Sequence, residues 1–294
     1  MPQTQSSLIF LAGPTASGKS AAAVTLAQTL GAEIISCDSM QVYKEPCIIT
    51  NKPTRQELGL VKHHFIGIVP VSAEYNVFDY YHAATLKIKE LHKMGKPVIV
   101  CAGTGMYMKA LLDGVFGGQG KDDSLRAQLE AKDAGELYFD LQRVDCAAAA
   151  KISPNDKRRL VRALEVYYAC GIPISQRQKD IKGLWGEAPI KIFGIKVERS
   201  LLYERINLRT EMMFKQGAFD EIKRLLEMPL SLTAQKIIGL KEIKSHLTGA
   251  ISLEQAKELI KQNTRNYAKR QMTWFKKDER VEWIDAAEIL KQSF

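Results

Sequence analysis

Residues 13–20, Gly13-Pro14-Thr15-Ala16-Ser17-Gly18-Lys19-Ser20, follow the spacing G-x-x-x-x-G-K-S. Glycines let such a run wrap until several backbone N–H groups converge on phosphate oxygens. A helix starting at its end adds the positive end of its dipole. Lys19 supplies a point charge, and the Ser20 hydroxyl is a ligand for Mg²⁺. The run is therefore the expected phosphate site, with Ser20 the expected metal ligand. Nucleotide hydrolysis asks for more, namely an apolar strand ending in Asp. The apolar run 98–102 leads into Gly103-Thr104 instead, and Asn51-Lys52-Pro53-Thr54 lacks the Asp of a guanine-specifying motif. Asp38, just past a second apolar run, is the one acid well placed. The loop is thus expected to hold a diphosphate that is not part of a nucleoside triphosphate.

The elements around these residues give them their context. Residues 8–12 form an apolar run of strand type that leads straight into the loop, and the Ala-rich stretch 20–30 predicts a helix stopped by Gly31. Strands are expected at 33–36, 63–68, 98–102, 190–197 and 281–284, with helices at 78–94 and 106–112. Strands alternating with helices predict an α/β fold: a parallel sheet covered on both faces, with ligands at the carboxyl ends of its strands. Three polar clusters fall there: the loop, Asp38-Ser39 and Thr104. Beyond the glycine-rich joint 117–120 the pattern turns helical. Residues 118–190 are read as an all-helical insertion into a core made of 1–117 plus 191–294, and the chain after residue 200 is mainly helical and basic.

Lys and Arg number 42 against 33 Asp and Glu, a formal charge of +9 that calls for an anionic partner. No apolar run is long enough for a membrane span. The five cysteines form no CxxC pair, which argues against a zinc ribbon or redox dithiol and for a reducing cytoplasm. Lys257, Lys261, Arg265 and Lys269 recur every four residues and form one stripe on a helix, extended by Arg270. Tyr267, Trp274 and Phe275 lie close by. A solvated helix face is the competing reading; basic residues with interleaved aromatics favour RNA.

With the loop, the run Asp38-Ser39-Met40-Gln41-Val42-Tyr43 resembles the tRNA dimethylallyltransferases. The likeness continues through Lys52-Pro53-Thr54, His63-His64-Phe65-Ile66, Gly103-Thr104-Gly105-Met106-Tyr107, Asn155-Asp156 with the arginines after it, residues 235–242, and residues 265–271 with Trp274-Phe275. The chain departs at Gly67, where the family commonly has Asp, and at Ala102, where it commonly has Gly. The resemblance implies a P-loop-like core and transfer of a dimethylallyl group from dimethylallyl diphosphate to the exocyclic amine of an adenosine beside the tRNA anticodon. The loop and Mg²⁺ would then stabilise a departing diphosphate.

Asp38 is assigned as the base that takes the amine proton, against a helix cap or an outer Mg²⁺ ligand. Thr104 reads from its position as a turn residue capping a helix; the resemblance moves it to the catalytic group. Arg209, on one helix face with Arg205, is assigned to the diphosphate, against a surface ion pair with Glu204 or Glu211. Asp38, Ser39, Met40, Gln41 and Thr104 are expected to meet the tRNA, with Gln41 pairing to the adenine edge. Arg126, the run Arg158-Arg159-Leu160-Val161-Arg162, and Arg265, Lys269 and Arg270 are expected to hold the anticodon stem-loop. His63 and His64 are taken as structural. A cytoplasmic monomer is expected. An isopentenyltransferase acting on free adenine nucleotides, a small-molecule kinase and an RNA-binding module with an idle loop stand as alternatives.

Overall fold

A computed structural model describes residues 7–116, 122–178, 181–187 and 189–292. The chain divides into two compact units, Met1–Leu112 with Leu184–Phe294, and Asp113–Gly183.

The first unit is built on six parallel strands: β1 (Leu8–Ala12), β2 (Glu33–Cys37), β3 (His63–His64), β4 (Val98–Ala102), β5 (Ile190–Lys196) and β6 (Glu282–Asp285), in the order β3-β2-β4-β1-β5-β6. Strands β1 and β2 are buried along their whole length. Their apolar runs are continuous because both faces are covered. On one face Ile9, Leu11, Ile34 and Ile99 pack with Ala23, Leu26 and Ala27 of helix α1 (Lys19–Leu30). On the other, Leu8, Phe10, Ile35 and Val100 pack with residues of α3 (Val77–Lys93) and α4 (Gly105–Asp113). Between β2 and β3 runs the short α2 (Arg55–Leu60), closed by a Thr54–Glu57 capping box. Placing β4 between β2 and β1 sets side by side the loops that follow these three strands.

The strand expected at 63–68 shrinks to His63–His64. Phe65 and Gly67 take φ of 64° and 60°, left-handed values that turn the chain out of the sheet. Gly31 ends α1 in the left-handed conformation at φ 63°.

The second unit is helical: α5 (Asp123–Ala131), α6 (Ala134–Val144), α7 (Cys146–Ala149), α8 (Lys157–Cys170) and α9 (Ile174–Arg177). Leu129, Leu137, Leu141, Leu160, Val161 and Leu164 form its core. Aspartates 122, 133, 145 and 156 cap α5, α6, α7 and α8. The glycine joint expected at 117–120 lies outside the described residues.

After β5 the first unit continues in α10 (Arg199–Lys215), α11 (Ala218–Leu226), α12 (Leu240–Leu247) and the long α13 (Leu253–Phe275). Helix α13 packs on α10 and α12. Among the described residues no helix is long and apolar enough to cross a membrane.

Candidate active site

A cavity of about 750 Å³ opens at the carboxyl ends of β1 and β2, within the size range of small-molecule sites. It is lined by residues 14–20 of the glycine loop with Asp38 and Arg209, and by the apolar side chains of Met40, Ile49, Met213, Ile237, Ile238 and Ile260.

The loop gets its shape from two left-handed residues, Gly18 at φ 89° and Ala16 at φ 65°. Ala16 is a non-glycine in a sparsely populated region, a strain found where a loop must aim its N–H groups. The Ser17 hydroxyl is buried without a hydrogen-bond partner, a donor left over at the crest of an anion cradle. Lys19 and Ser20 are the first two residues of α1 and both line the cavity.

Asp38 follows directly on β2. Its Oδ1 accepts the backbone N–H groups of Met40 (2.8 Å) and Gln41 (3.3 Å). Oδ2 faces Gly103, 2.9 Å from where a Cβ there would stand. Any side chain at 103 would crowd the carboxylate. One oxygen is thus held by the turn, and the other accepts no hydrogen bond among the described residues. Thr104 does not cap α4 through its side chain: its Oγ1 accepts the Ser39 N–H at 3.1 Å, tying the β4 loop to the β2 loop.

Two helices from the far end of the chain close over these loops. Arg209 of α10 donates from Nη2 to Thr15 Oγ1 at 2.6 Å. Burial lowers its guanidinium to about 10, against the attraction of Asp38. Among the described residues Arg209 forms no ion pair with Glu204 or Glu211, and Glu211 pairs instead with Lys261 at 2.6 Å. Tyr267 of α13 lines the cavity, and burial raises its hydroxyl well above the usual range. It is therefore a wall of the site and not an exposed stacking surface. Gln271 accepts the Thr15 N–H at 2.9 Å and donates to Gly103 O at 2.6 Å. Sequence reasoning did not single it out, because its partners lie 256 and 168 residues away. Trp274 lays its indole on Gly105, whose ideal Cβ would stand 2.0 Å from Cδ1.

Other expected residues are placed differently. The Gln41 amide is already engaged by protein groups: Oε1 accepts from Ser36 Oγ of β2 at 2.9 Å, and Nε2 donates to Asn51 O at 2.9 Å. An adenine edge would have to displace these bonds. Leu160 and Val161 are 0% and 3% exposed in the core of their own unit, so their side chains form no RNA contact surface. Arg126 and Arg162 both bond Glu165 Oε2, at 3.4 and 2.8 Å, and stay part-exposed. Arg159 pairs with Asp156 at 2.7 Å, while Arg158 is exposed. The stripe on α13 splits in two. Lys257 bonds Glu254 and lies over the Phe214 ring, and Lys261 bonds Glu211 and Glu258. Arg265 donates to Asn207 at 2.6 Å, and Lys269 and Arg270 are exposed. His64 pairs with Glu33 at 2.7 Å and His63 with Val61 O at 2.8 Å.

The sequence profile of IPP transferases matches residues 41–278. The chain belongs to the IPP transferase family. A tRNA dimethylallyltransferase of Geobacter sulfurreducens is 42% identical over 290 residues, covering 96% of this chain and 93% of that protein. One from Carboxydothermus hydrogenoformans is 42% identical over 285 residues, covering 95% of this chain and 92% of that protein. The full-length tRNA isopentenylpyrophosphate transferase of Bacillus halodurans superposes with a TM-score of 0.70 at 37% identity, covering 95% of this chain and 90% of that one. A eukaryotic dimethylallyltransferase acting on tRNA gives 0.84 at 31%, covering 98% of this chain and 75% of that one. The expected P-loop-like parallel sheet is the fold these structures share with this chain.

Proposed function

We propose that this protein transfers a dimethylallyl group from dimethylallyl diphosphate to the exocyclic amine of the adenosine 3′ of the anticodon in tRNA. The observation that carries this is one cavity lined together by a phosphate cradle, a set of apolar side chains and a half-bound carboxylate. A short apolar chain ending in a diphosphate matches both kinds of lining at once.

An adenine amine is a weak nucleophile because its lone pair is delocalised into the ring. Asp38 accepts its proton through Oδ2 as the new C–N bond forms. The C–O bond to the diphosphate breaks in the same step, and the leaving group takes the electron pair. Loop N–H groups, Lys19 and Arg209 face the charge that develops there. Among the described residues no cluster of three His, Cys, Asp or Glu is placed to cage a metal. The Ser20 hydroxyl would be the protein ligand of Mg²⁺. Bound Mg²⁺ supplies Lewis-acid stabilisation of the diphosphate. The adenosine must leave its stack to reach Asp38. Lys269 and Arg270 on α13, and Arg126, Arg158 and Arg162 in the helical unit, are the cations assigned to the RNA backbone.

The test incubates the protein with labelled dimethylallyl diphosphate, Mg²⁺ and either unmodified tRNA or AMP. Label in tRNA is expected. Label only in AMP, or ATP-dependent phosphorylation in place of transfer, overturns the proposal.

A further inference from the structure

Gln271 has no part in the chemistry above, yet it is only 5% exposed and touches two of the three loops that make the site. We propose that Gln271 is a positioning residue: its amide locks the phosphate loop to the turn after β4 and so fixes the leaving group relative to Asp38. The proposal rests on the prenyl-transfer reading of the site.

The two ends of the amide are used differently. Oε1 accepts from the backbone of Thr15 in the loop after β1, and Nε2 donates to the backbone carbonyl of Gly103 after β4. Reversing the amide would set carbonyl against carbonyl and N–H against N–H, so the orientation is fixed by its partners. Gly103 is also the residue that Asp38 Oδ2 faces. The lock therefore grips the same turn that borders the base. Thr15 is gripped a second time, through its hydroxyl, by Arg209. A buried amide satisfied at both ends holds its geometry more firmly than either contact alone. Loss of the lock leaves the groups of the reaction present but lets the two loops drift.

The requirement is one acceptor and one donor on a neutral group of this size. A protonated carboxyl meets it; a carboxylate does not, because it would place negative charge on Gly103 O. Gln271→Glu is therefore expected to lower kcat on the order of 10²-fold at pH 8, the scale of a small misplacement. Its rate relative to wild type should rise steadily as pH is lowered, as the introduced carboxyl takes up a proton. KM for tRNA should stay within about threefold, because no RNA contact is removed. Affinity for inorganic pyrophosphate with Mg²⁺ should fall roughly tenfold. Gln271→Met, of similar volume but without either hydrogen bond, should show the same losses at every pH.

A Gln271→Met protein within twofold of wild type in kcat and pyrophosphate affinity overturns the proposal. So does a Gln271→Glu deficit that does not change with pH. If the methionine variant does not fold by thermal melt, the pH-dependent ratio for the glutamate variant decides alone. A wild type that binds pyrophosphate but transfers no label to tRNA fails the parent reading, and the pyrophosphate affinities of the variants still test the lock.

Discussion

Strand β2 has a carboxylate at each end. Glu33 opens it, and Asp38 follows its last residue. Glu33 is 5% exposed and bonded by His64 and Lys96, with Lys62 at 3.8 Å. Burial pushes its carboxyl up, but the hydrogen bonds from Lys96 and His64 and the charge of Lys62 outweigh this and hold it below the usual value. Asp38 has two backbone N–H groups on one oxygen and none on the other, and Arg209, whose charge it attracts, is committed to Thr15. Same strand, same chemistry, opposite treatment: the amino-end acid is saturated, and the carboxyl-end acid keeps a free lone pair. Saturation marks a carboxylate that holds the sheet edge together. An unfilled site marks one available to a substrate proton.

The largest effect that could break this contrast is at Asp38. Asp38→Asn keeps the acceptor for the turn but cannot take a proton, so transfer should fall by about 10²–10⁴-fold with pyrophosphate affinity retained. Full activity in labelled-transfer assays would remove the distinction. Next comes Arg209→Ala, expected to cost roughly 10²–10³-fold in kcat/KM for the donor, with Arg209→Lys recovering only part because it lacks the planar fork.

Glu33→Gln should do the converse, leaving kcat near wild type while lowering stability by about 1–3 kcal/mol at pH 7, for a buried carboxylate whose partners are part-exposed. The pH dependence follows from the sign of the shift. A lowered carboxyl stabilises the fold above its ordinary value, about 4.3, and that stabilisation is lost as pH falls through the lowered one. The melting-temperature gap between wild type and Glu33→Gln should therefore close as the solution is acidified below about pH 4.3. A gap that widens would show that Glu33 is not held ionised.

The smallest effects sharpen a second contrast, along α13. Lys269→Ala should weaken tRNA binding several-fold and reduce the slope of log affinity against log salt by about 0.9. Lys261→Ala, at a residue already neutralised by Glu211 and Glu258, should leave that slope unchanged.

The parts of the site legible in the sequence are those made by adjacent residues. The loop 13–20 carries its geometry in its own spacing, and Asp38 could be placed because a buried strand immediately precedes it. Arg209 reached Thr15 across 194 residues, a partnership that helical periodicity can suggest but not choose over Glu204 or Glu211. Gln271 lay within the run 265–271 that carries the family likeness, but its role was not legible because its contacts are set by how α13 docks. Periodicity put Lys257, Lys261, Arg265 and Lys269 on one face correctly, yet it carries no information about Glu211 of α10, which meets Lys261 on that face. The run 63–68 was apolar enough for a strand, but the left-handed turns at Phe65 and Gly67 ended it. Leu160 and Val161 were swept into a basic run whose arginines point outward while the helix buries its apolar residues.

The indole of Trp274 resting on Gly105 has a consequence for how this sequence can drift. A methyl group at 105 would overlap three atoms of the ring, at 2.0, 2.4 and 2.5 Å, so Gly105→Ala demands that the tryptophan swing away. Trp274 is 45% exposed, so it has somewhere to go, but it then gives up its platform. A smaller residue at 274 would remove the obstacle beforehand. The two positions are therefore inherited as one choice, and in a randomised library alanine at 105 should survive chiefly in clones that have already lost the tryptophan.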